Sequence, residues 1–249
     1  MNMSRGPETV LVPAAYLAVL GAAAWLFRQL GFPPETARLA KAVVILLTAL
    51  ILWILFRQTI REGEKGKGMR RFLFCLLVPG LPFLADAGRT LLKATAIVSD
   101  FRGILMAFLA GTAPGICEEV VFRGIVFNKL KSTLSGRRNA GLAAALISSG
   151  VFAACHLTNW GNQPVAVTVM QVYSAFGAGL CLCGLYLLSG TLALPVLLHS
   201  IVDVCCELSA GGSAVSVGAA DFLLPTVILA EGLVLLRLYR NRAEGNRTP

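Results

Sequence analysis

Apolar residues in this chain come in long runs, and polar residues collect in the breaks between them. A helix that crosses a bilayer needs about 20 mostly apolar residues. The first run, Val10 to Phe27, reaches a spanning length and reads as a membrane helix rather than a cleaved leader. Further spans are predicted near 42–56, 72–86, 103–127, 139–157, 164–188, 191–209 and 219–238. The run at 72–86 is short and holds Pro79 and Pro82, which predicts a tilted, broken or re-entrant segment. The expected fold class is therefore all-α, a polytopic transmembrane bundle of about eight helices forming one membrane domain over residues 1–249. The stretch Arg61–Gly68 reads as a flexible, solvated loop, and Asn241–Pro249 as a disordered tail whose Asn246 sequon faces away from the glycosylating side.

Composition agrees with this pattern. Of 249 residues, 56% are hydrophobic and 14% charged, with a mean hydropathy of +0.74. A soluble domain carries about 25% charged residues because its surface faces water. Lipid must solvate the outside of a chain this poor in charge.

The net charge of +9 invites a nucleic-acid reading until its distribution is considered. With the N-terminus inside and eight spans, sixteen Lys and Arg fall on the inner side, at 1–9, 57–71, 123–138 and 237–247. Six fall outside: Arg28, Arg38, Lys41, Arg89, Lys93 and Arg102. That asymmetry predicts a multi-pass protein of the cell membrane with both termini cytoplasmic. No basic stripe interleaved with aromatics accompanies it, so no nucleic-acid partner is expected. The seven cysteines form no paired CxxC, which argues against a zinc knuckle or a disulfide framework.

Three places break the apolar pattern: Glu118-Glu119-Val-Val-Phe-Arg123, Phe152-Ala-Ala-Cys-His156 and His199-Ser-Ile-Val-Asp203. Ionisable groups in a bilayer cost about 2.5–3.5 kcal/mol each on insertion scales, so they need a reason. The only two histidines in the chain both fall in predicted spans. Each motif includes a four-residue step, which puts both ends of the step on one helix face. Glu119 and Arg123 can neutralise each other along one helix, leaving Glu118 as the unpaired acid. A single intramembrane histidine more often satisfies an interhelical hydrogen bond than performs chemistry. Convergence of two acids, two histidines, an arginine and an aspartate on three helices favours the chemical reading.

One Glu and two His that meet across helices form the His₂Glu set of catalytic zinc, with Glu118, His156 and His199 as candidate ligands. The same groups work without metal, with Glu118 and His156 activating water while His199 and its neighbour stabilise an oxyanion. Asp203 suits orientation of His199 in either scheme. Both schemes hydrolyse an amide or ester, and spacing does not separate them. A membrane scaffold that keeps these residues for structure, and a proton-coupled transporter using them as a relay, are the competing function classes.

The three motifs in this order, with Gly124 after the arginine, resemble the CPBP family of type II CAAX prenyl endopeptidases and abortive-infection or bacteriocin-immunity proteins. The resemblance covers roughly residues 100–206. It implies an intramembrane endopeptidase, zinc-dependent if the family's metalloprotease name holds here and metal-free otherwise, with Glu118 as the water-activating acid assisted by His156. His199 and Asp203 would line the oxyanion side or complete a metal site, and Glu119 and Arg123 would hold the helix in place. Implied partners are the lipid bilayer and a protein or peptide substrate, lipidated in some members: a CAAX-type tail, a leader or a pheromone precursor. Asp203 stands where the family often has Asn.

Overall fold

A computed structural model describes residues 8–64, 68–94, 97–137, 139–209 and 217–245. Residues 65–67 of the expected loop, and residues 246–249 with the Asn246 sequon, lie outside the described residues. All eight predicted segments are helical. Helix α1 covers Glu8–Gln29, α2 Pro34–Gly63, α3 Met69–Leu77, α4 Leu81–Lys93 and α5 Phe101–Glu119. A π-helical stretch, Val120–Phe127, joins α5 to α6, Asn128–Thr133. Then follow α7 (Ala140–Cys155), α8 (Val165–Ser189), α9 (Ala193–Leu208) and α10 (Leu223–Gly245).

The boundaries move in informative ways. Helix α2 is 30 residues long, so Arg61–Gly63 is helical and not loop; its backbone leaves helical geometry at Phe56. Residues 241–245 continue α10, which corrects the expected tail over that part. The segment predicted to break does break: α3 and α4 meet at 48°. The turn at Pro79-Gly80 is so tight that a side chain at Gly80 would approach the Leu76 carbonyl to 2.3 Å. Among the described residues, six helical stretches are long and apolar enough to cross a membrane, and the bent pair is a seventh if it forms one span. Helix α9, at 16 residues, is about 24 Å long and shorter than a hydrocarbon core of about 30 Å. This is a multi-pass membrane protein.

Ion pairs fix which helix ends lie together. Lys129 meets Glu8 at 3.1 Å, and Glu64 accepts from the Leu192 amide at 2.9 Å, so the start of α1, the end of α2, α6 and the start of α9 share one end of the bundle. Arg102 meets Glu35 at 2.7 Å and Arg38 meets Glu207 at 3.6 Å at the other end. Asp221 there pairs with both Arg89 and Lys93. The alternation is the one the loop charges imply, except that Arg123 is buried and is not a loop charge at all.

Close approach of α5 and α9 depends on small residues at a four-residue step. Ala107, Gly111 and Gly115 form a buried stripe on α5. A Cβ at Gly111 would lie 2.6 Å from the Val204 Cα, and one at Gly115 would lie 2.9 Å from the Ser200 Cα. In lipid no hydrophobic force draws helices together, so association depends on backbones approaching this closely. The stripe leads directly to Glu118 and Glu119.

Candidate functional site

The α5–π–α6 helix is continuous over Phe101–Thr133, and Glu118 falls near its middle. The predicted span ends at 127; the added residues to Thr133 put Glu118 near the middle of the helix. The helix also runs through Pro114 without interruption. Its irregularity comes after the glutamates, in the π-helical stretch where all eight residues are buried. Wider turns of this kind are frequently found at functional sites.

His199 is the hub of the site. Its Nδ1 and the Glu119 Oε1 are 2.8 Å apart, so the ring N–H donates to that carboxylate. The opposite ring nitrogen, Nε2, lies 3.8 Å from Glu118 Oε2 and 3.6 Å from Asp203 Oδ2. A carboxylate that holds one imidazole nitrogen fixes the ring and aims the other at the reacting groups. Glu119 therefore does more than pair with Arg123, as expected from sequence: it also orients His199. The Arg123 Nη1 donates to the same Glu119 oxygen at 2.7 Å, with both side chains at most 1% exposed. The guanidinium also lies over the Phe152 ring, 4.7 Å from its centroid. Buried charges persist only when paired in this way.

Phe152 joins the remaining parts. Its ring centroid is 5.0 Å from that of Phe122, 5.1 Å from His156 and 5.8 Å from His199, the two imidazoles meeting it edge-on. His156 lies inside the candidate span Ala140–Asn159, as expected, in the short 3₁₀ turn over His156–Asn159 that follows α7 and closes that span. Gly161 with positive φ and Pro164 turn the chain here before α8 begins. Its Nδ1 is 3.2 Å from the Phe152 carbonyl. Among the described residues the imidazole paired with Glu118 is that of His199, with His156 one aromatic ring away.

Sequence reading missed Tyr16. This residue of α1 is 3% exposed, and its hydroxyl donates to Glu118 Oε1 at 3.2 Å. Nothing marks it in the sequence beyond being a tyrosine within an apolar run, where a buried hydroxyl needs a partner. A cleft of about 580 Å³ runs from Tyr16 and Glu118 between α1, α2 and α5 to the α1–α2 turn. Glu118 and Asp203 are partly exposed, with side chains at 19% and 27%. The site thus holds a carboxylate open to a cleft, an oriented imidazole beside it and a phenol on its other oxygen. That set can accept a proton from water and donate hydrogen bonds to a developing oxyanion.

A zinc ion would need Glu118, His156 and His199 gathered around one point. Among the described residues, no three His, Cys, Asp or Glu side chains are gathered as ligands for a metal ion. His156 stands apart from the other two candidates, so the residues do not form a ready His₂Glu site.

No curated protein matches the chain. The family described as type II CAAX prenyl endopeptidase Rce1-like matches residues 100–205. That segment begins at the cap of α5 and ends three residues before the end of α9, enclosing all three motifs and omitting Tyr16. Residues 100–205, which carry Glu118, Glu119, Arg123, His156, His199 and Asp203, match that family, and the match supports the resemblance to the CPBP proteins.

Proposed function

We propose that this protein is an intramembrane endopeptidase that hydrolyses a peptide bond in a membrane-associated protein or peptide: a CAAX-type tail, a leader or a pheromone precursor. Glu118 takes a proton from water, and the resulting hydroxide oxygen attacks the scissile carbonyl carbon. Tyr16, and His199 as the doubly protonated imidazolium, both beside the Glu118 carboxylate, donate to the oxyanion as the tetrahedral intermediate forms. Glu118 then passes its proton to the amine nitrogen as the carbon–nitrogen bond breaks. Glu119 holds His199, Arg123 neutralises Glu119, and Asp203 is the second carboxylate facing the His199 Nε2. His156 flanks the site across Phe152 and offers a further donor to the bound substrate. The bundle sits in the cell membrane with both termini in the cytoplasm.

The observation that carries this reading is Glu118 at the head of a cleft, with His199 Nε2 3.8 Å from one oxygen and the Tyr16 hydroxyl 3.2 Å from the other. The test is cleavage of candidate membrane peptides by purified Glu118→Gln protein reconstituted in vesicles. Cleavage is predicted to fall by a factor of about 10³, a size seen when one preorganised catalytic group is lost, with membrane abundance unchanged. Retained cleavage would sink the assignment. A chelator is predicted to leave the wild-type rate unaltered. One zinc per chain with chelator-sensitive cleavage would instead establish a metal mechanism through Glu118, His156 and His199.

A further inference from the structure

Helix α10 carries an acid that the site does not use. Glu231 falls near the middle of the candidate span Ala219–Asn241, half-buried, with apolar residues for a turn on either side. Among the described residues it meets a thiol and no cation: the Cys181 Sγ of α8 donates to Glu231 Oε2 at 3.8 Å. The other ionisable groups within the bundle, Glu118, Glu119, Arg123, His199 and Asp203, each meet a partner that can carry the opposite charge. Acids deep in lipid are costly, and they mark functional positions with a partner.

The packing of α10 keeps this acid at the edge of the protein. A Cβ at Gly232 would lie 2.6 Å from the Cys181 nitrogen, and one at Gly184 of α8 would lie 2.7 Å from the Leu235 Cβ. Backbones this close fix the rotation of α10 about its axis. On a helix surface, Glu231 neighbours the residues three and four away. On one flank Ile228 and Leu235 are buried in a cluster with Phe83 and Cys181; on the other, Val227 and Val234 are exposed. Glu231 therefore stands on the seam between bundle and lipid. Beside it Val227, Ala230 and Val234 form an outward strip of small side chains, a surface that another helix can approach closely.

We infer that Glu231 marks a docking face on α10 for a membrane-spanning helix of another protein, one that carries a basic residue near the middle of its span. A carboxylate on a lipid-facing seam is complemented by a cation at the same depth. A helix brings one there with its own backbone groups satisfied. The inference goes beyond the protease reading and does not depend on it, because α10 lies outside residues 100–205 and gives no side chain to the site described above.

The test uses the full chain with Glu118→Gln, so that no peptide is cut, labelled with a donor fluorophore and reconstituted in phosphatidylcholine vesicles. It is titrated with acceptor-labelled polyleucine peptides of about 22 residues, long enough to span. One has lysine at its centre, one leucine, and one a lysine moved two turns toward an end. Energy transfer to the central-lysine peptide is expected at about tenfold lower peptide-to-lipid ratio than for either of the others. Adding Glu231→Gln should abolish that preference. Glu231→Asp should retain it, which separates charge recognition from damage to the fold.

Equal association of all three peptides would overturn the proposal, and Glu231 would then be a lipid-facing acid bonded to Cys181 alone. A lysine preference that survives Glu231→Gln would overturn it as well, because another acid would be the one read. Photobleaching steps counted on dilute, singly labelled protein decide the remaining case. Dimers that Glu231→Gln turns into monomers would mean that the face holds a second copy of this chain, against the proposal; monomers in both are the expected result. Loss of the lysine preference leaves the Glu118 cleavage test untouched, and a failed cleavage test leaves the docking face standing.

Discussion

Helices α5 and α9 solve a different problem from α1 and α2, although all four are apolar. In the span containing α5, 44% of the apolar window is buried within the protein, against 17% in each of α1 and α2. Gly111 and Gly115 bring α9 against α5 closely enough to bury Glu119 and Arg123 and to hold His199 between carboxylates. The α1–α2 hairpin exposes Val10, Leu11, Trp25, Leu47, Ile51 and Leu55, a surface suited to lipid. It contributes one buried hydroxyl to the site and leaves a cleft along its inner side. The tightly packed pair holds the ionisable groups of the site, and the loosely packed pair borders the cleft that leads to them.

This contrast can be broken most strongly from the packed side. Arg123→Ala would leave Glu119 buried without its cation, a change that costs about 3–5 kcal/mol. The variant should show a large fall in thermal stability and in yield of monodisperse protein; a normal melting profile would mean that Glu119 is solvated or neutral. Gly115→Val comes next. Its added carbons meet the Ser200 backbone, an overpacking worth about 1–3 kcal/mol. It should lower stability and move His199 from Glu118, so cleavage should fall further than stability alone explains. The same change at Gly21 of α1, where a side chain meets nothing within 4 Å, should leave the melting temperature nearly unchanged.

The hairpin's contribution is smaller and kinetic. Tyr16→Phe removes one hydrogen bond to a charged group, worth about 1.5–3 kcal/mol. It should lower kcat by about tenfold or somewhat more, near the lower end of that range, and leave KM and stability nearly unaltered. A change in KM alone would make Tyr16 a cleft wall rather than part of the site.

Much of this was legible in the sequence because the bilayer imposes long apolar runs, and each run became a helix. The polar interruptions were legible for the same reason: Glu118, Glu119, Arg123, His199 and Asp203 are too costly in lipid to lie there unpaired, and they meet. Pairing across helices was not legible. The four-residue step indicated Glu119 with Arg123 but could not reveal that Glu119 also binds His199 from another helix. His156 read as intramembrane and does fall in the candidate span Ala140–Asn159, but the 3₁₀ turn that ends α7 there was not legible. Helix α2 exceeded its apolar run because polar residues such as Arg57 and Arg61 continue a helix as readily as leucine does. Tyr16 carried no signal, since one tyrosine among apolar neighbours looks like any other.

The central claim is that Glu118 and His199 act as a single catalytic unit. The direct measurement is a double-mutant cycle in kcat/KM with Glu118→Gln, His199→Asn and the combination, in vesicles at matched protein abundance. Groups that act as a unit lose nearly all their benefit at the first removal. The prediction is that the double variant is no slower than Glu118→Gln alone, to within about threefold, equivalent to about 0.6 kcal/mol. Losses that multiply across the two positions would contradict the claim and make the 3.8 Å approach of the two side chains a matter of packing.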